Sequence, residues 1–408
     1  MDQGVSRRDL LAASLISFNA FTWAYLTAGL LKKALEFYLI QPSEQLLYLA
    51  LYYFALGAFN IVGQIVPKIV RRINFLHAWT VYGGLITFLP ALFPNFLLNH
   101  LASFAFILGA SVGIGIPSTL AYLSDMTAIQ ERGTVSGITL FVSYVSLVIL
   151  GLTVQSLDLI KSSLVYALWR FWALATVLLR PREPEIDERE KPYPVSRAQR
   201  ISSFVLYLIP WTMFSLVDQS TKPVVKFKTE LVFPEKEFLG FLNVTGVIVG
   251  GLSSLIGGVQ SDRLGRKRTI ILALVFLGLG YAILGLTPYE SVSQFYFAVV
   301  NGIAWGVLTS TFVFTIWGDL APKGSREKYY SIGVSPLFLA GVVSITLTDV
   351  LAQIGAERVF YLACLMLFLS IIPLLAAPET LPHDVVERRR FKKYMKEAKR
   401  LREGVKSL

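Results

Sequence analysis

A single cysteine, Cys364, and three histidines are all that this 408-residue chain offers to soft metals or redox chemistry. One thiol excludes an intramolecular disulfide, and three scattered imidazoles beside it make no zinc-ligand spacing. Charge is scarce as well, at 16% of residues, where soluble domains carry about a quarter. HExxH, a nucleophile elbow, a phosphate-binding glycine loop and paired intramembrane acids are all missing. The sequence therefore offers no catalytic chemistry, and neither an enzyme nor a cofactor or metal is expected.

What the chain has instead is apolar mass. Hydrophobic residues make up 54% and aromatics 13%, with a mean hydropathy of +0.58. They gather into blocks of about 18 to 25 residues, long enough to cross a hydrocarbon core of about 30 Å as helices. Cutting at loop signals predicts twelve spans near 10–32, 44–66, 73–93, 97–124, 134–155, 160–179, 201–221, 238–258, 268–286, 293–319, 329–351 and 357–376. The fold class is an all-α membrane protein of twelve transmembrane helices. A charge- and proline-rich stretch, "RPREPEIDEREKPYPVSRAQR", falls midway. It divides the chain into a first bundle (1–180), a linker (181–200), a second bundle (201–382) and a basic tail (383–408).

The formal charge of +11 would suit nucleic acid, but in a membrane protein basic residues first report sidedness. Placing both termini in the cytoplasm leaves 29 Lys/Arg on that side, ten of them after His383, and eight outside: Lys32, Lys33, Lys161, Lys222, Lys226, Lys228, Lys236 and Arg358. Arg170 alone stays within a span. This bias predicts a multi-pass cell-membrane protein with cytoplasmic N- and C-termini and no nucleic-acid partner. Arg7 and Arg8 in "VSRRDLLAAS" read as cytoplasmic flanking charges, since membrane blocks follow them at once. The tail is solvated or lies on anionic lipid.

The charged loops also carry a duplication. "GQIVPKIVRR" begins at Gly63 and "GVQSDRLGRK" at Gly258, 195 residues apart. Asp125 and Arg132 recur as Asp319 and Arg326, and Pro184-Glu185 recur as Pro378-Glu379, all separated by 194. The chain therefore consists of two six-helix halves.

At these residues the chain resembles the major facilitator superfamily. Gly258, Asp262, Arg263, Gly265, Arg266 and Lys267 match that family's G-x-x-x-D-R-x-G-R-[RK] signature. "GIGIPSTLAYLSDMTAIQERG" is similar to the end of its fourth helix, and "PETLP" at 378–382 resembles the acidic motif after helix 12 of its sugar porters. The resemblance implies two pseudo-symmetric bundles that rock about a central site, opening it to each side in turn. It places Asp262 at the start of helix 5 near Gly133, Thr134 and Val135, where a carboxylate meets free N–H groups and a positive dipole end. It also places Arg266 near Asp319 and Glu379, and Arg71 near Asp125 and Glu185. In the first-half copy Pro67, Lys68 and Val70 depart from the pattern, so an asymmetric cytoplasmic gate is expected in which only Asp262 supplies the anion.

Helices 1, 4, 7 and 10 line the cavity in this family. The candidates on them are Asn19, Thr22, Trp23 and Tyr25; Trp211, Thr212, Ser215, Asp218 and Gln219; and Asn301, Trp305, Thr309, Ser310 and Thr315. Each of these residues could equally serve helix packing. Asp218 is a candidate proton-coupling carboxylate as an acid inside a span, against a local salt bridge to Lys222 one turn on. Arg170 is expected to be a buried structural arginine bonding to carbonyls, because helix 6 is peripheral. His77, His100 and Cys364 read as packing or interface residues. The expected function is secondary transport of a small solute, with protons as a candidate co-substrate and the chain acting as a monomer. "TVSGITLFVSYVSLVILGLTVQ" in helix 5 lacks the G-x-x-x-G-P-x-x-G-G motif of many drug exporters, which favours a sugar or other metabolite over drug efflux. A non-transporting receptor or scaffold is the alternative of another class.

Overall fold

The computed structural model describes residues 6–183, 197–233, 236–322, 324–382 and 395. The basic tail, most of the linker and Glu185 fall outside them. Among the described residues twelve helices are long and apolar enough to cross a membrane. We number the first half α1 (Arg7–Phe37), α2 (Pro42–Gly63), α3 (Arg72–Leu92), α4 (Leu101–Asp125), α5 (Arg132–Gln155) and α6 (Leu159–Leu179). The second half contains α7 (Arg197–Val232), α8 (Lys236–Leu264), α9 (Arg266–Leu286), α10 (Ser291–Leu320), α11 (Arg326–Ile354) and α12 (Ala356–Ala376). No strand occurs among the described residues.

Local chemistry sets several helix ends. Ser6 caps α1, its hydroxyl accepting from the Asp9 N–H at 3.2 Å, and Asp158 caps α6 through the Lys161 N–H at 2.8 Å. These side chains satisfy donors that the first helical turn leaves without partners. Gly265 (φ +107°) turns α8 into α9, a backbone conformation that side-chain-bearing residues rarely adopt. Lys33 closes the other end of α5, its ammonium donating to the carbonyls of Val154 (2.7 Å) and Leu157 (2.5 Å) and to Ser162 Oγ (2.8 Å).

Several helices run longer than the hydropathy pattern indicates, α7 and α8 among them. α7 continues through Pro223 to Val232, and α8 continues to Leu264. Hydropathy ends a span where charge begins, whereas a helix continues as long as its polar end reaches water. Lys222, Lys226 and Lys228 therefore stand on helix rather than in a loop, and Asp262 and Arg263 belong to the last turn of α8.

The halves touch along two seams, α5 against α8 and α2 against α11. At the first seam the backbones nearly meet. A Cβ on Gly258 would strike the carbonyl of Gly133, and one on Gly137 would strike that of Ser254, the small-residue contact that membrane helices use when apolar burial gives no advantage over lipid. At the second seam Asn60 donates to the Ser331 carbonyl (2.7 Å) and Ser335 Oγ (3.1 Å). The first seam fades toward the far end, where a Cβ on Gly151 of α5 or Gly240 of α8 would meet nothing within 4 Å, whereas the second still holds at Tyr53, against which a Cβ on Gly341 would press. The halves are thus joined at the end bearing the Gly258–Lys267 motif and part toward the other.

Candidate functional site: a closed motif end and an open cleft

At the motif end, Asp262 Oδ1 accepts from the Gly133 N–H at 3.0 Å, and Oδ2 accepts from the N–H and hydroxyl of Thr134, each at 2.6 Å. One carboxylate of the second half thereby satisfies the opening turn of a helix in the first. Arg266, fully buried, donates to Asp262 Oδ1 (2.6 Å), Asp319 Oδ2 (3.2 Å) and the carbonyls of Ser261 (2.8 Å) and Ile129 (2.6 Å). Glu379 Oε1 accepts from the Arg266 N–H at 2.9 Å. Lys267 reaches the last carbonyls of α12, Leu375 (2.7 Å) and Ala377 (3.0 Å), while Arg263 is exposed.

Among the described residues three ion pairs cross between the halves, and two of them form a matched set. Arg132 pairs with Asp319, and Arg326 pairs with Asp125. Each is the image of the other under the 194-residue repeat. Arg132 also donates to the Ser124 carbonyl at 3.0 Å and to Thr127 Oγ1 at 3.3 Å. Arg132 and Asp319 are almost wholly removed from water and Arg326 and Asp125 are partly buried, so separating the halves would strand charges unless water entered with the opening.

The first-half copy corrects the expectation for Arg71. Arg71 is exposed, and it is Arg72 that bonds Asp125, at 2.5 Å, and also pairs with Glu327 of α11. The 3-10 turn Val66–Lys68 accounts for the shift: the motif aligns at 195, but the opening arginines of α3 and α9 align at 194. Glu183 Oε1 receives the Ile73 N–H at 2.9 Å, while Glu185, expected near Arg71, lies outside the described residues. Lys68 supplies no acid, but Glu327 brings one from the opposite half.

The open end is a cleft. Its floor is aromatic, with Phe21 5.7 Å from Phe314 and 6.5 Å from Tyr144 between ring centres. Tyr25, Gly29, Lys32 and Glu36 form one exposed stripe of α1 and face the exposed Lys222 and Lys226 of α7. Tyr25 and Tyr53 lie within electrostatic range of Lys222, and Lys32 within range of Lys226 and Lys222. Asp218 is hidden behind this wall. Its Oδ1 accepts from Trp305 Nε1 and its Oδ2 meets Lys222 Nζ, both at 2.7 Å. The Lys222 ammonium also lies 5.0 Å from the centre of the Trp305 ring, close enough for a cation–π contact. Beside this wall α10 loosens into a π-helical stretch, Thr309–Ile316, a distortion common where a helix lines a site.

Not every predicted lining residue faces this cleft. Asn19 and Trp23 lie on the opposite face of α1, fully buried within the first half. Asn19 donates to the Trp169 carbonyl (2.6 Å) and accepts from Arg170 (2.9 Å), and Trp23 Nε1 donates to Thr87 (2.8 Å). Trp211 is buried against Phe214 and Phe312 at 5.5 and 5.1 Å. Gln219, Asn301 and Trp305 are half-buried. Arg170 is held by Asn19 and by two indoles, 4.4 Å from Trp23 and 4.1 Å from Trp79, rather than by carbonyls. Of this cleft stripe Tyr25 was among the sequence candidates, whereas Lys32 and Glu36 were obscured because α1 is polar on two faces. Their signal is the repeat: Lys32 and Glu36 recur as Lys226 and Glu230, again 194 apart.

Comparison with known proteins agrees with this architecture. A stretch is 22% identical over 178 residues to dipeptide and tripeptide permease B of Yersinia enterocolitica, covering 43% of this chain and 36% of that one. The namesake from Photorhabdus luminescens is 24% identical over 177 residues with the same coverage, so the match spans about a third of these relatives' length. The fold superposes on the proton:xylose symporter XylE bound to 6-bromo-6-deoxy-D-glucose (TM-score 0.65, 14% identity, 91% of this chain and 96% of that one). It also superposes on a bacterial homologue of the iron transporter ferroportin in an outward-facing state (TM-score 0.67, 13% identity, 90% and 98%). The family model of the Major Facilitator Superfamily matches residues 202–406, half of the chain; with twelve spans, two repeated halves and this fold, the chain belongs to the Major Facilitator Superfamily.

Proposed function

We propose that this chain moves a small metabolite across the cell membrane by alternating access, with the motif end cytoplasmic and the cleft open to the outside. One observation carries the reading. The halves are clasped at one end by image-related ion pairs and separated at the other by a polar, aromatic-floored cleft. Such a molecule has two ends that can exchange open and closed states. The excess of Lys/Arg assigned to the motif end supports its cytoplasmic placement.

Sugar or another metabolite is the proposed cargo class, and Asp218 is the proposed proton carrier. Protonating this carboxylate would release Lys222, and an acid inside a span is by default a candidate for a proton relay. The test is uptake by proteoliposomes containing the full chain, with and without an inward proton gradient. We expect saturable uptake of at least one small solute, driven above its equilibrium level by the gradient, and loss of that drive in Asp218→Asn. Uptake that ignores the gradient would remove the proton role. No uptake across a broad solute panel would remove the transport reading.

A further inference from the structure

Resting on that transport reading, we infer that the solute carries an anionic group, a carboxylate or phosphate, and that Lys32 of the first half and Lys222 of the second receive it. The repeat sets the geometry. Lys32 and Lys226 are image positions on α1 and α7, as are Glu36 and Glu230. A repeat related by an axis along the membrane normal places image residues at equal depth. Lys222, whose image position is Ala28, stands one turn deeper than this level, so the innermost exposed charge in each half is an ammonium, Lys32 in the first and Lys222 in the second, with the glutamates nearer the mouth.

Depth decides which sign a solute meets. Asp218 is the acid at the inner level, and it is only 2% exposed, with both oxygens taken by Trp305 and Lys222. The Lys222 side chain is 51% exposed. An ammonium has three donors; one is spent on Asp218, and the head is presented to the cleft. The phenols of Tyr25 and Tyr53, both within range of Lys222, add further donors. Glu230 lies 3.7 Å from Lys226 on its own helix. Lys33 is spent on the end of α5, so Lys32 is the α1 lysine left facing the cleft.

Lys32, Lys222 and Lys226 are all exposed, three ammonium groups on the two helices that bound the cleft, with Glu36 one turn beyond Lys32 on α1. Closing this end would bring the ammonium groups together as water leaves, when their repulsion grows most. An anion between them converts that repulsion into two attractions, so the cargo itself becomes the group that allows the outer end to shut. A neutral solute supplies no such charge.

The experiment compares uptake of lactate, succinate, glycerol 3-phosphate and xylose by proteoliposomes. Thermal stabilisation of the purified chain by the same four compounds is measured in parallel. We expect at least one anion to be carried and to stabilise the protein, with xylose inert. Lys222→Gln and Lys32→Gln should each raise the half-saturating concentration at least tenfold, Lys222→Arg should recover most of the loss, and Lys161→Gln should change nothing. Carboxylate and phosphate arms separate the two sources of charge.

Uptake of xylose alone, unaffected by either lysine variant, overturns the inference while leaving the transport reading intact. Absence of all uptake, with stabilisation by an anion that Lys222→Gln abolishes, overturns transport and supports the anion site. Absence of both overturns the inference. A last outcome concerns the lysines' partners: if Glu36→Gln with Glu230→Gln abolishes uptake and added Lys32→Gln and Lys226→Gln restores it, the lysines pair with glutamates across the halves and the inference falls.

Discussion

Glu327 pairs with Arg72 across the two halves at the place where, 194 residues earlier, Gly133 meets Asp262. The acid has changed sides. In one seam the last turn of α8 supplies the carboxylate and the partner helix supplies bare N–H groups. In the other, the acid sits in the first turn of α11, at the positive end of that helix, and the arginine comes from the opposite half. Two devices of opposite polarity close the same end of the molecule.

Asp262→Asn and Glu327→Gln should therefore both loosen the motif end. A hydrogen bond to a charged group contributes about 1.5–3 kcal/mol, so each change should shift the population toward the motif-open state by at least about tenfold. Spin-label distances between α5 and α8, and between α2 and α11, would record it. A shift in Asp262→Asn with none in Glu327→Gln would restore a one-sided gate.

Arg71 and Arg72 should behave differently despite being neighbours. Arg72→Ala removes the partner of two part-buried carboxylates and should lower solute uptake at least about tenfold, at about 1.4 kcal/mol per decade. Arg71→Ala alters an exposed side chain and should leave uptake unchanged. Equal losses would put the repeat in the wrong register.

Arg170 presents a buried cation between two indoles, and among the described residues no carboxylate forms an ion pair with it. Its length and packing matter more than its charge. Arg170→Ala should destabilise the protein by about 2–4 kcal/mol through the space it leaves. Arg170→Met fills most of that space and removes a desolvated charge, so it should cost far less. Thermal unfolding of the two variants in detergent checks the order, and Met no better than Ala would show that the charge itself is required.

The Lys161 N–H on Asp158 holds that exposed carboxyl below its usual range. A depressed folded value means the cap stabilises α6 above about pH 3.9, the ordinary aspartate value, and loses this as pH falls through the folded value. Asp158→Ala should lower thermal stability at pH 7, and the gap from the unaltered protein should narrow as pH approaches 4 and below. A gap independent of pH would mean the charge contributes nothing.

Much of the fold was legible in the sequence because its causes are additive along the chain. Twelve apolar blocks must span, and a 194-residue recurrence of Asp125, Arg132 and Glu185 needs two like halves. The site was less legible. Asn19 and Trp23 satisfied every criterion for a cavity residue, yet they turn inward to serve Arg170 and Thr87. Arg71 and Arg72 could not be distinguished by spacing, because one inserted turn at Val66–Lys68 moves the register by a single residue.

By itself, then, the sequence determined the spans, their duplication and the location of charge at helix ends, since these follow from hydropathy and order along one dimension. Only the tertiary structure decided which face of α1 meets the cleft, that Glu327 brings an acid to Arg72 from the opposite half, and that Lys32 and Lys222 are left exposed while Asp218 is hidden. Each of these depends on how helices rotate about their axes and on which partner from the other half arrives, and close packing across a seam, not composition, sets that rotation.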